Sequence, residues 1–232
     1  MRPLLAAVAL ASLLAPGLSR AQASKGEDDK TFYALGVIAA KSFETFKLTP
    51  KELEQVKKGL TDALTGQKLK VDMATYEPKV QELARKRMAV AAEANKAAAK
   101  GYLDKAAAEK GAERTASGMV YTSLKEGTGE SPKATDTVKV NYEGKLTDGK
   151  VFDSSYKRGQ PVEFPLNQVI PCWTEGVQKM KVGGEATLVC PPSIAYGERG
   201  APGAIPPNAT LVFKVELLGV TPGSAPPAPA GK

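Results

Sequence analysis

The sequence predicts an α+β fold, in which an all-α N-terminal domain with a long stalk helix precedes a domain built mainly of strands. In the first half, apolar residues recur at helical spacing within a background rich in Ala, Lys and Glu. In the second half, period-two alternation predicts half-buried strands, first at Val138, Val140 and Tyr142 and again over residues 211–217. A short turn helix is expected between these strands.

The composition is typical of a soluble globular protein, with 232 residues, 42% of them apolar and 25% charged. The chain contains no His, which excludes Ser-His-Asp and Cys-His hydrolases. With only two Cys, a structural zinc site of the Cys/His type is excluded as well. The net charge of +7 comes from basic residues interleaved with acids, which favours a solvated helix face over attraction to an anionic surface. We expect no metal, no cofactor and no nucleic-acid partner.

Residues 1–23 have the organisation of a secretory signal peptide. Arg2 precedes an apolar run over residues 4–14, and Ala21-Gln22-Ala23 supplies small residues for cleavage after Ala23. A membrane anchor is the alternative, but the apolar run is too short to span a bilayer. The sequence therefore predicts secretion.

Two short amphipathic helices are predicted at the start of the helical domain, which we assign to residues 24–112. The first covers residues 31–43. The second begins at Pro50, where Thr49 can cap the helix and Glu52 completes a capping box, and it stops at Gly66.

A third, much longer helix is predicted over about residues 76–110, beginning between Asp72 and Thr75. Pro78 is compatible with this helix if Thr75 is the N-cap, because amides of the first turn have no intrahelical partner. About 35 residues at about 1.5 Å each give a rod of about 50 Å. Its apolar face consists mostly of Ala, so we interpret it as a stalk between two modules.

These three helices offer too little apolar surface for an independent core. Intertwining with a second copy of the chain would bury it, so the sequence predicts a homodimer through the N-terminal helices. A monomeric three-helix bundle is the alternative.

Four motifs in the second half, in a fixed order, resemble those of FKBP-type peptidyl-prolyl cis-trans isomerases. They read VxVNYxGxLxDGxxFDSS, VIPxWxEGVxxMxxGG, AYG and IPPNxTLVFxVELL. The resemblance covers residues 113–220, with a first strand over residues 119–124 after a connection over residues 111–118. The Pro/Ala-rich tail over residues 221–232 is expected to be disordered. The helical layout resembles the dimerisation region of FkpA and macrophage-infectivity-potentiator proteins of the bacterial envelope.

The resemblance implies an antiparallel sheet wrapped on a short helix and an enzyme that accelerates X-Pro isomerisation in folding proteins. It implies a periplasmic location, with outer-membrane association or export left open, and macrolides as candidate inhibitors. A holdase chaperone, or a module that binds Pro-containing segments with little catalysis, is the alternative function.

The resemblance also assigns the site. Catalytic roles fall to Asp153, Tyr196, Tyr142 and Trp173, with Trp173 as the floor of an aromatic pocket that desolvates and twists the amide. Without the motifs, Trp173 would be interpreted as a core residue and Asp153 as a turn acid. The substrate-binding positions implied by the family pattern are Phe152, Arg158, Val162, Phe164, Val169, Ile170, Ile205 and Phe213.

Three positions depart from the family pattern. Val162 replaces a more common aromatic wall, Ala201 replaces the His of several members, and Cys172 replaces the Gly that often precedes the Trp. Secretion and an even Cys count favour a disulfide between Cys172 and Cys190 that ties the pocket helix to a strand. Two separate buried thiols are the alternative.

Overall fold

A computed structural model describes residues 18–223, and the side chains of residues 26–223. Most of the predicted signal peptide (1–23) and of the predicted tail (221–232) therefore lies outside the described residues. The chain forms two compact units, Met1–Glu44 and Thr45–Lys232. Over residues 18–223, no helix combines the length and apolar character needed to cross a membrane.

The first unit contains helix α1, Leu18–Ala40, after which the chain continues as a short 3-10 helix, Lys41–Phe46. The helix begins earlier than the predicted start at residue 31 and passes through the predicted cleavage position. Apolar side chains on α1 are largely exposed, with Phe32 71% and Tyr33 77% accessible.

Helix α2, Pro50–Leu64, confirms the predicted capping box. The Glu52 amide donates to the Thr49 hydroxyl at 3.3 Å, and the Thr49 amide donates to the Glu52 carboxylate at 2.8 Å. These bonds satisfy amides that have no partner inside the helix. Gly66, in the left-handed region at φ 69°, follows the end of the helix.

Helix α3, Met73–Ala107, is the predicted stalk helix, but Asp72 rather than Thr75 is its N-cap. The Asp72 carboxylate accepts from the Thr75 amide at 3.0 Å, so Thr75 already lies inside the first turn. Pro78 is consequently in the second turn, where its missing N–H leaves the Ala74 carbonyl without its usual partner.

The C-terminal end of α3 packs on the sheet. Leu103 and Ala106 are buried and form a cluster with Val120 and Val189. The stalk helix is therefore attached to the sheet through apolar contacts at its last turns.

The sheet has seven strands in the order β1-β2-β6-β7-β3-β4, with β5 paired to β3, and the pairings are antiparallel. The strands are β1 Ala112–Arg114, β2 Val120–Lys125, β3 Thr137–Leu146, β4 Val151–Ser154, β5 Val162–Pro165, β6 Glu185–Cys190 and β7 Leu211–Thr221. The prediction that residues 111–118 form only a connection was wrong, because β1 pairs with β2. Three residues are too few to show a period in the sequence.

The sheet wraps on helix α5, Pro171–Gln178, as predicted, and a shorter helix α4, Ser155–Arg158, follows β4. Inward-facing residues of β3 and β7, such as Val140 and Val215, share one core with Val177 of α5. The close approach of helix and sheet needs Gly176, where an added Cβ would lie 2.6 Å from the Leu188 side chain.

Candidate active site

A cavity of about 500 Å³ opens between the inner face of the sheet and the N-terminus of α5. Most of the predicted site residues meet there, although they come from separate strands, turns and α5. The lining residues are Tyr142, Phe152, Asp153, Phe164, Gln168, Val169, Ile170, Trp173, Tyr196 and Phe213.

The floor of the cavity is Trp173, which is only 4% exposed and yet lines the opening. Three rings contact the indole edge-on, with centroid distances of 5.1 Å to Tyr142, 5.4 Å to Phe213 and 5.7 Å to Phe164. Edge-to-face pairs at such distances are favourable beyond the area that they bury. The indole is thus both a core residue and the base of an open apolar site.

One carboxylate stands at the rim. The Tyr142 hydroxyl donates to Asp153 Oδ2, and Arg158 donates both to Asp153 Oδ1 and, at 2.9 Å, to the Tyr142 oxygen. Burial raises the pKa of Asp153, but the hydrogen bonds from Tyr142 and Arg158 outweigh it, and the pKa lies below its ordinary value. The carboxylate is therefore ionised at neutral pH.

The Tyr142 phenol is neutral at neutral pH. Burial, followed by the hydrogen bond to Asp153, raises the pKa of Tyr142 to about 12. A neutral phenol can donate its proton to Asp153 and hold that carboxylate in one orientation.

The turn after β4 positions this cluster. The Ser154 side chain caps α4, and Gly159 ends it at φ 76°. Ser155 is fully buried, and its hydroxyl accepts from the Tyr142 amide at 2.9 Å. One turn of helix then brings Arg158 back to Asp153.

The opposite wall is an extended segment before α5. Val169 and Ile170 precede Pro171, which starts the helix, and the Ile170 carbonyl accepts from the Trp173 amide at 2.9 Å. Among the residues of the described chain, no hydrogen-bond acceptor pairs with the Ile170 N–H. Tyr196 stands at the mouth and is 41% exposed.

Three predicted positions do not line the cavity. Arg158 lies outside the cavity and donates to the lining residue Asp153. Val162 pairs with Val140 in the sheet and packs against the core. Ile205 belongs to the loop that contains Tyr196, and its side chain is buried in the core. Sequence reasoning also missed a lining residue, Gln168, whose signal was only its position directly before the Val-Ile pair.

Cys172 and Cys190 form a disulfide, with their Cα atoms 5.8 Å apart. Both residues are fully buried, and the bond joins α5 to the end of β6. The alternative of two separate thiols is thereby set aside in the structure. No cluster of three carboxylate or thiol side chains suited to a metal ion occurs within residues 18–223.

Comparison with known proteins identifies the family. Residues 128–218 match the sequence model described as FKBP-type peptidyl-prolyl cis-trans isomerase, and residues 28–122 match that described as the domain amino terminal to it. FkpA of Escherichia coli K12 is 43% identical over 86% of this chain and 78% of its own length. Mip of Coxiella burnetii is 38% identical over 84% of this chain and 88% of its own length.

Solved structures agree with the sequence comparison. The crystal structure of Escherichia coli FkpA matches with a TM-score of 0.64 at 42% identity, covering 85% of this chain and 98% of that one. A peptidyl-prolyl cis-trans isomerase from Pseudomonas syringae matches with a TM-score of 0.53 at 40% identity, covering 56% of this chain and 96% of that one. The mixed helical and antiparallel architecture is that of the FkpA structure, and the chain belongs to the FKBP-type peptidyl-prolyl cis-trans isomerases.

Proposed function

We propose that the enzyme isomerises X-Pro bonds of folding proteins in the bacterial envelope by binding a twisted, desolvated amide over Trp173. The barrier of about 18–20 kcal/mol comes from amide resonance, so a catalyst must bind the twisted form better than either planar form. The observation that carries the proposal is an aromatic cavity of about 500 Å³ with one ionised carboxylate at its rim.

The apolar floor favours rotation because it removes water from the substrate carbonyl. Planar amide resonance places negative charge on the carbonyl oxygen, and water stabilises that charge. In the proposed complex the proline ring lies over Trp173, and Asp153 stands beside the rotating carbonyl. A fixed negative charge there destabilises the planar, charge-separated form further. Tyr142 and Arg158 orient this carboxylate through their hydrogen bonds.

Two donors would hold the rest of the peptide. The Ile170 N–H faces no acceptor among residues 18–223, and we assign it to a substrate carbonyl. The exposed Tyr196 hydroxyl at the mouth is assigned to a second carbonyl. The apolar cavity is also the proposed site for macrolide inhibitors, and quenching of the single Trp by such a compound would test this.

A peptide isomerisation assay on the full mature chain tests the proposal. Asp153→Leu and Trp173→Phe should each lower kcat/KM by at least about tenfold, the effect of about 1.4 kcal/mol. Asp148→Leu, in an exposed turn, is the matched control and should retain activity. Wild-type rates in both site variants, with folding verified by circular dichroism, would refute the assigned mechanism.

We further propose a homodimer through the helical domain, residues 24–112. The supporting observation is the exposure of large apolar side chains on α1, including Phe32 and Ile38. Light scattering at micromolar concentration should give a molar mass twice that of one chain. The double variant Phe32→Ser/Ile38→Ser should give a molar mass closer to that of the monomer. A monomeric wild type at that concentration would contradict the proposal and favour the three-helix bundle.

The same exposed apolar surface supports the second candidate function, a holdase chaperone. Aggregation suppression that survives Asp153→Leu would place this function on the helices, apart from the isomerase site. Loss of both activities together would assign both to the cavity. Limited proteolysis would test the proposed boundary between residues 24–112 and 113–220.

The proposed location is the periplasm, with residues 1–23 removed. Cell fractionation and N-terminal sequencing check this, and Ser24 is the expected first residue. Recovery in the outer membrane or the medium would instead support association with that membrane or export.

A further inference from the structure

The stalk helix makes a polar contact with the loop that contains Tyr196. Asn95 of α3 donates from Nδ2 to the Pro207 carbonyl at 2.8 Å, although the two residues are 112 positions apart. The Asn95 side chain is half-buried. Pro207 belongs to the segment 195–210, which we call the Tyr196 loop.

A second hydrogen bond carries this contact toward the active site. Asn208, directly after Pro207, has φ 54°, a left-handed conformation that Asn tolerates better than most residues. Its N–H donates to the Gly197 carbonyl at 2.9 Å. Gly197 directly follows Tyr196. Two hydrogen bonds and a few covalent bonds therefore connect the stalk helix to Tyr196.

The rest of the loop is tightly closed, so its two ends move together. Ala201 and Ile205 exchange hydrogen bonds of 2.8 Å in both directions. The backbone passes so close to itself that a Cβ on Gly200 would lie 2.2 Å from the Ile205 carbonyl oxygen. The Gly200 amide donates to the Tyr196 carbonyl at 3.1 Å. A displacement at Pro207 would therefore reach Tyr196.

We infer that Asn95 is a positioning residue for Tyr196, and that the stalk helix thereby sets the affinity of the site for Pro-containing peptides. The inference rests on the proposed role of the Tyr196 hydroxyl in binding substrate. A hydrogen bond of this kind typically contributes about 0.5–1.5 kcal/mol, which corresponds to a factor of about 2 to 10 in Kd. The stalk helix is then part of the binding machinery as well as a connection.

Asn95→Asp tests the inference in the full mature chain. The variant keeps the shape of the side chain but removes the donor and places a carboxylate against the Pro207 carbonyl. Ala97→Asp is the matched control, because it adds the same charge at an exposed position of the same helix. The measurements are Kd for a Leu-Pro tetrapeptide, followed by Trp173 fluorescence, and the split between KM and kcat.

The deciding measurement is a double-mutant cycle with Tyr196→Phe. If Asn95 acts through the Tyr196 hydroxyl, Asn95→Asp raises Kd and KM about 2- to 10-fold in the wild type and has no effect in the Tyr196→Phe background. Ala97→Asp is expected to leave both constants unchanged.

Three outcomes overturn the inference. The first is an Asn95→Asp variant that behaves like Ala97→Asp, and the second is an equal loss in both backgrounds. In either of these two cases, the proposed role of Tyr196 still holds if the single variant Tyr196→Phe binds the peptide more weakly than the wild type. The third is a Tyr196→Phe variant with wild-type affinity, which refutes that role and the inference together.

Discussion

The double variant Cys172→Ala/Cys190→Ala, which lacks the disulfide, should be less stable than the wild type. The expected loss of unfolding free energy depends on the number of residues between the two positions. The two residues are 18 positions apart. Closing a loop of that size in the unfolded chain reduces its entropy, which stabilises the folded state by about 3 kcal/mol. For a protein of this size, each kcal/mol shifts the melting temperature by about 2–4 °C, so the expected decrease is about 6–12 °C.

Thermal unfolding followed by circular dichroism measures this decrease. Wild-type protein that is unfolded and refolded in dithiothreitol should melt at about the temperature of the double variant, and dithiothreitol should leave the double variant unaffected. The bond acts mainly on the unfolded chain, so isomerase activity well below the melting temperature should change little, although Cys172 is next to Trp173.

Two results would refute this reasoning. One is the same melting temperature for wild-type protein that was unfolded and refolded with and without dithiothreitol. The other is the detection of two free thiols in wild-type protein that is unfolded without reductant, which would show that the bond does not form.

Three further predictions concern the cavity and the stalk. Gly144→Ala should destabilise the enzyme by about 1–3 kcal/mol and lower its activity, because the new Cβ would lie 2.6 Å from the Phe152 ring. Gly101→Ala is the contrasting variant: a Cβ there has nothing within 4 Å, and it should stabilise α3 by about 1 kcal/mol. Urea titrations measure both changes. The pKa of Asp153 is lower in the folded enzyme than the ordinary aspartate pKa of about 3.9. The stability contributed by the ionised carboxylate is therefore fully present above about pH 3.9, and it is lost, with the charge, as the pH falls through the folded-state pKa. Activity should therefore stay level down to about pH 4 and fall only below it; a decrease near pH 6 would contradict the assignment. Tyr142→Phe should remove the phenol that ionises at about pH 12, seen as a lost step in absorbance at that pH. Loss of a step at about pH 10, the ordinary value for tyrosine, would instead show that this phenol is not shielded.

Local patterns in the sequence predicted the elements that local geometry governs. The capping box at the start of α2 needs only side chains three residues apart, and its prediction is confirmed. Alternation predicted which residues of β3 and β7 face the core, because successive side chains of a strand point to opposite faces. In the aromatic lining of the cavity, Phe213 follows from the alternation in β7, whereas Trp173, on α5, was expected from the family motifs.

Other features could not be read from the sequence because they depend on which distant segments pack together. The strand β1 exists through its pairing with β2, and its three residues have no period of their own. The choice of Asp72 over Thr75 as the N-cap depended on small differences between two good capping residues. Gln168 is the last residue of a short 3-10 helix, Leu166–Gln168, and lines the cavity from that position.

By itself, the sequence determined the fold class, the long stalk helix and the aromatic character of the site, since short-range periodicity and residue chemistry encode all three. Only the tertiary structure decided between a Cys172–Cys190 disulfide, which the sequence favoured, and two separate thiols, and only it showed that the stalk helix contacts the Tyr196 loop. The physical reason is that contacts across 18 or 112 positions of chain arise from packing of whole elements, which no local pattern specifies.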